Sequence, residues 1–114
     1  MSGAYAGDVA SAEAWRTLAE DRDAVLIDVR TRAEWSFVGI ADLTPIGKQP
    51  VLIEGQSYTT MQVNAGFLDE LAAALGDMSA SREARLFFLC RSGARSASAA
   101  ACATAAGYAA CFNI

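Results

Sequence analysis

The sequence predicts an α/β protein, a doubly wound parallel β-sheet with helices on both faces. Two observations carry this. Short apolar runs at Val25–Val29, Val51–Glu54, Arg85–Cys90 and Tyr108–Ile114 are nearly continuous instead of alternating, which is the pattern of strands buried on both sides. Segments with apolar residues at helical spacing lie between these runs, so strand and helix alternate along the chain. At 114 residues the chain has room for one hydrophobic core and is read as a single domain, 1–114.

The elements follow in order. Ser11–Glu20 opens on a residue suited to cap a helix, and Trp15, Leu18 and Ala19 recur at helical spacing. Val25, Leu26, Ile27 and Val29 form a strand, with Asp28 and Arg30 at its carboxyl end. Thr31 begins a short helical turn that Gly39 stops. Pro45, Gly47 and Pro50 break the next stretch and leave Val51–Glu54 as the strand. Gly55–Gly66 reads as a loop, whose stretch Gly55–Asn64 suits a lid or a partner-docking segment. Phe67, Leu68, Leu71, Ala72 and Leu75 share a helical face that Gly76 should end. Arg85–Cys90 is the next strand, Ala94–Ala106 the next helix, closed by Gly107, and Tyr108–Ile114 the last strand. Trp15, Trp35, Phe87 and Phe88 are expected in the core, and Arg82 and Arg85 on a solvated face.

Composition removes several function classes. A net charge of −4 gives no basic field to attract a phosphate backbone, so nucleic acid is not an expected ligand. Ser96–Ile114 carries no charge and is long enough to span a bilayer, but Ala, Ser and Thr dominate it and supply little insertion energy. No membrane association is expected. The first residues lack a basic segment followed by an apolar one, which points to a cytoplasmic protein. Three cysteines cannot all pair, and there is no histidine and no C-x-x-C, so reduced thiols are expected, with neither a metal nor an organic cofactor. Cys102 and Cys111, among alanines and aromatics, read as buried, inert residues.

Cys90 is different. It ends a buried strand and is followed by Arg91-Ser92-Gly93-Ala94-Arg95-Ser96. In a parallel sheet ligands collect at the carboxyl ends of the strands. A loop curling there, eased by Gly93, turns successive backbone N–H groups inward as an anion-binding nest in front of a helix N-terminus. Such a ring, with Arg91 and Arg95 nearby, favours a thiolate; cysteines at helix N-termini have pKa values of roughly 3.5–7.5 against about 8.5 when free. The arrangement suits a nucleophile that needs no histidine base.

These two blocks, Cys90-Arg-Ser-Gly-Ala-Arg-Ser96 and Val25-Leu-Ile-Asp-Val-Arg-Thr-Arg-Ala-Glu-Trp35, resemble the active-site loop and the strand-end Asp-x-Arg motif of the rhodanese, or sulfurtransferase, domain family. The resemblance spans approximately Gly7–Ile114 and is strong only in the two blocks. It implies a catalytic Cys90 that accepts a sulfane sulfur as a persulfide from a small anionic donor such as thiosulfate and passes it to cyanide, a thiol or a protein acceptor. By the same resemblance the backbone of Arg91–Ser96 (Arg91, Ser92, Gly93, Ala94, Arg95, Ser96) cradles the sulfur, Arg91 and Arg95 bind the donor, and Asp28, Arg30 and Glu34 support the loop. Four residues lie between Cys90 and Arg95, the ring of the sulfur-transferring members. Phosphatases of similar loop enclose five, so phosphatase or arsenate reductase chemistry is the lesser alternative. A second alternative is a binding or sulfur-relay module that docks a protein partner. The family's Gly-His-Ile segment is replaced here by Ser36-Phe-Val-Gly-Ile-Ala-Asp-Leu43. The resemblance also implies a Gly-rich loop and a helix after the last strand, whereas the sequence stops at Ile114; the chain is truncated, continues further, or has the gap filled by another chain, and a sheet face left bare would be an exposed apolar patch.

Overall fold

All four residues of β2 (Val25–Asp28) are buried; the apolar run of residues 25–27 is what a strand covered on both sides demands, and Asp28 closes it at the carboxyl end. Successive side chains of a strand point to opposite faces. Val25 and Ile27 therefore join Leu86 and Phe88 of β4 (Arg85–Leu89) in one cluster, and Leu26 and Phe87 lie in the other. The computed structural model describes residues 4–56, 64–91 and 93–114. With β1 (Gly7–Asp8), β3 (Val51–Leu52) and β5 (Ala110–Asn113), these strands make one parallel sheet in the order β1-β5-β4-β2-β3.

Helices cover both faces. Phe67, Leu71 and Leu75 of α3 (Phe67–Asp77) and Ala99, Ala100 and Ala103 of α4 (Ala94–Ala105) pack against the first cluster. Ala14 and Leu18 of α1 (Ser11–Glu20) close the second, together with Leu43. The buried face of α4 consists of alanines and Ser96. Small side chains let its backbone lie close to β4 and β5, which is why the long uncharged stretch near the chain's end is a twelve-residue helix and a strand. No helix of the described residues is long and apolar enough to cross a membrane.

Several sequence expectations change in the folded chain. α1 begins after Ala10 with no side-chain cap, so Ser11 is its first residue and not its cap. Gly76 lies inside α3; the helix ends at Asp77 with Met78 as its cap, and the left-handed residue that reverses the chain is Ser79 (φ 55°), with Ala80 N–H bonded to Leu75 O at 2.9 Å. Trp15 is 43% exposed because the buried stripe of α1 runs through Ala14 and Leu18. Cys102 is exposed on α4, whereas Cys111 is buried on β5. A short 3₁₀ turn, Thr44–Ile46, and the two-residue β1 have no apolar run to announce them. Most of the Gly55–Gly66 loop, residues 57–63, lies outside the described residues.

Leu71 is fully buried between α3 and the sheet. Leu71→Ala is expected to destabilise the fold by about 2–5 kcal/mol, seen in urea denaturation as a lower midpoint at an unchanged slope.

Candidate active site

β4 sits between β5 and β2. The connection from β4 through α4 leads to β5 on one side, and that from β2 through α2 (Arg32–Phe37) leads to β3 on the other. The two loops diverge at the strands' carboxyl ends and open a crevice there, the usual ligand position in such sheets. Cys90, the first residue after β4, is 6% exposed at this point.

The backbone wraps the sulfur. Gly93, the residue before α4, has φ 88°, a left-handed conformation that side chains disfavour. This turn directs Gly93 N–H to Cys90 Sγ at 3.0 Å, and the first turn of α4 adds Ser96 N–H at 3.4 Å, with Ser96 Oγ lying 3.2 Å from the same sulfur. The positive end of the α4 dipole lies behind the same atom. Ser92 lies outside the described residues.

Two ion pairs hold the neighbouring loops. Asp28, fully buried at the end of β2, accepts from Arg30 Nη2 at 2.7 Å, from Arg30 Nε at 3.0 and 3.1 Å and from the Arg30 backbone N–H at 3.0 Å. Arg30 Nη2 also donates to Gly39 O at 2.7 Å, tying down the exit of α2. The hydrogen bonds it donates to Asp28 raise the Arg30 guanidinium above its ordinary range. Glu34 accepts a fork from Arg95, Nη1 to Oε1 at 2.7 Å and Nη2 to Oε2 at 3.0 Å. It also completes a capping box with Thr31, whose side chain accepts from Glu34 N–H while Thr31 N–H donates to Glu34 Oε1. Arg95, and then Thr31, hold the Glu34 carboxyl at about 2 against the opposing effect of burial.

The structure thus brings the sequence-predicted residues together, with distinct placements. Cys90, Gly93 and Ser96 form the sulfur cradle; Ala94 opens α4 on its exposed side. Arg95 is engaged by Glu34, so its guanidinium braces the loop while adding positive field at Cys90. Arg91 is exposed and, among the described residues, forms no ion pair. A cleft of about 610 Å³ lies over the site, lined by Arg30, Glu34, Val38, Leu89, Cys90 and Arg91 among others. Sequence reasoning missed Thr31 and Asn113. Thr31 was legible as the first residue of a T-x-x-E capping box, whereas Asn113 reaches Ser96 only because β5 lies beside β4.

Glu34 carries a pH signature. Its folded-state value lies below that of an unfolded glutamate, so its bonds stabilise the fold above the ordinary range, and that stability is lost as pH falls from about 4.5 toward about 2. The urea midpoints of the wild type and Glu34→Gln are expected to differ at neutral pH and to converge over that acidic window.

The family model of the rhodanese-like domain matches residues 11–114. An uncharacterized protein of Rickettsia conorii is 38% identical over 107 residues, covering 94% of this chain and 79% of its own length. A Rickettsia prowazekii relative, also uncharacterized, is 35% identical over the same shares. The crystal structure of Rv0390 from M. tuberculosis is similar with a TM-score of 0.83 at 40% identity, covering 97% of this chain and 78% of that one. Fold, strand-end loop and sequence agree, and the chain belongs to the rhodanese-like domain family.

Proposed function

We propose that this chain is a sulfurtransferase that carries a sulfane sulfur as a persulfide on Cys90, with a small anion such as thiosulfate as donor. The observation that carries this reading is the set of N–H donors from Gly93 and Ser96 on one cysteine sulfur at the mouth of a cleft. Donors of this kind stabilise a thiolate, and equally a negative outer sulfur near the same position. No side-chain base is then required, in keeping with a chain that has no histidine.

In the first half-reaction the Cys90 thiolate attacks the outer sulfur of thiosulfate. The S–S bond of the donor breaks, sulfite leaves with the bonding pair, and the new Sγ–S bond leaves the negative charge on the outer sulfur. In the second, cyanide or a thiolate attacks that outer sulfur and Cys90 departs as thiolate. Electrons balance without an added oxidant or reductant. Arg91, exposed at the cleft and without an ion pair among the described residues, is assigned to the donor's sulfonate oxygens. Arg95, Glu34, Asp28 and Arg30 keep the loop in shape. Ser92, between Arg91 and Gly93, belongs to the cradle on the family's pattern.

A second reading, transfer to a protein acceptor in a sulfur relay, is favoured by the exposed apolar rim next to the cleft. Phe37 is 89% and Val38 76% exposed, with Ile40 beside them, and such side chains grouped at a site mouth suit a protein surface. Slow turnover with thiosulfate and cyanide beside fast transfer to one protein thiol would favour the relay.

Incubation with thiosulfate is expected to add one sulfur atom to the intact protein, removable by a reductant and absent in Cys90→Ser. A folded wild-type protein that gains no mass would overturn the assignment. Arg91→Ala is expected to raise KM for thiosulfate by about 10–100-fold, the loss of one charge-assisted contact, with the single-turnover rate at saturation little changed.

A further inference from the structure

Behind the cradle a chain of polar groups runs from the sheet edge to the sulfur. Tyr5 Oη donates to Asp8 Oδ1 at 2.7 Å, and Asn113 Nδ2 donates to the same oxygen at 3.0 Å. Asp8 and Asn113 are register partners on β1 and β5. Asn113 Oδ1 then accepts from Ser96 Oγ, and Ser96 Oγ lies 3.2 Å from Cys90 Sγ. Asn113 and Ser96 are both buried.

The hydrogen count along this chain has one consistent solution. A carboxylate only accepts, so Asp8 fixes which end of the Asn113 amide faces it: the nitrogen. The amide oxygen must then face Ser96. Ser96 has a single hydroxyl hydrogen and three acceptors in reach, Asn113 Oδ1, Gly93 O and Cys90 Sγ. An amide oxygen facing a hydroxyl oxygen without a hydrogen between them is repulsive, so that hydrogen is directed to Asn113. The bonds from Tyr5 and Asn113 also lower the Asp8 carboxyl from its ordinary range, which keeps it an acceptor at neutral pH.

We propose that Asp8 and Asn113 are positioning residues that hold the Ser96 hydroxyl hydrogen away from Cys90, so that the sulfur is served by backbone N–H groups and is denied one further donor. The inference deepens the persulfide reading, because a sulfur bonded to a second sulfur hands its charge to the outer atom and has less use for a donor at Sγ. A thiolate with every donor engaged would be a poorer nucleophile. The other charged groups around the sulfur are Arg91 on its own loop, Arg95 on α4, Asp28 and Arg30 at the end of β2, and Glu34 on α2. None of them touches the Asp8–Asn113–Ser96 chain in the described residues.

The test is the pH dependence of iodoacetamide alkylation, read by mass at the Cys90 peptide because the exposed Cys102 is alkylated as well. It reports on thiolate formation whether or not the protein transfers sulfur. In Asp8→Asn the new amide can donate, Asn113 can turn, and its nitrogen can donate to Ser96 Oγ; the hydroxyl hydrogen is then free for Cys90. The alkylation midpoint is expected to fall by about one pH unit, the scale of one hydrogen bond to a charged group. Asn113→Ala, which keeps the Asp8 charge, should move it in the same direction, and Asp8→Asn should cause no further shift in a Ser96→Ala background. An unmoved or raised midpoint in both single variants overturns the proposal. So does an Asp8→Asn shift that survives in Ser96→Ala, since that is a through-space effect of removing a charge.

Discussion

The left-handed turn at Gly93 is the constraint on which the site depends. Cys90 leaves β4 pointing along the strand, and α4 must begin within four residues to pack its alanine face on the same sheet. A φ of 88° at Gly93 achieves the reversal, and the N–H groups of Gly93 and Ser96, at a helix start where such donors lack intrahelical partners, converge on Cys90 Sγ. The same geometry that starts the helix therefore gathers these donors at the sulfur. A side chain at Gly93 would be strained there and would also approach Asn113 Nδ2 at 3.7 Å.

Around this turn the structure invests its charges in pairs. The fork between Arg95 and Glu34 joins residues 61 apart in sequence, linking α4 to α2 across the crevice. Removing one partner of a largely buried pair leaves the other without compensation, which is more damaging than the pair is stabilising. Asp28 is similarly committed to Arg30 and Arg30 to the Gly39 carbonyl. The two cations of one loop are thus placed differently: Arg95 is held by Glu34, whereas Arg91 is exposed at the cleft and forms no ion pair among the described residues.

The opposite end of the sheet is closed in a different way. Lys48 donates to the Asp21 and Ala24 carbonyls at 2.7 and 2.6 Å, and Arg82 donates to Ala106 O at the end of α4 while lying over the Tyr108 ring at 4.8 Å. Cations there meet carbonyl oxygens, the complement of the N–H groups gathered at Cys90. Arg82 thus sits at the far end of α4 from the sulfur.

Much of this was determined by the sequence alone. The central strands β2 and β4 are covered on both faces, so residues 25–27 and 86–89 form apolar runs and were legible; the helix stripes of α3 and the cysteine loop followed from spacing and residue type. Tertiary structure decided what local pattern cannot encode. β1 is two residues, Gly7 and Asp8, recognisable only by pairing with β5, and the same pairing brings Asp8 to Asn113. Trp15 and Cys102 are exposed because burial depends on which side of a helix meets the sheet, a matter of docking angle and not of hydrophobicity. Whether an arginine beside the cysteine is free or engaged was likewise invisible, since the answer lies in a glutamate that only the folded chain brings within 3 Å.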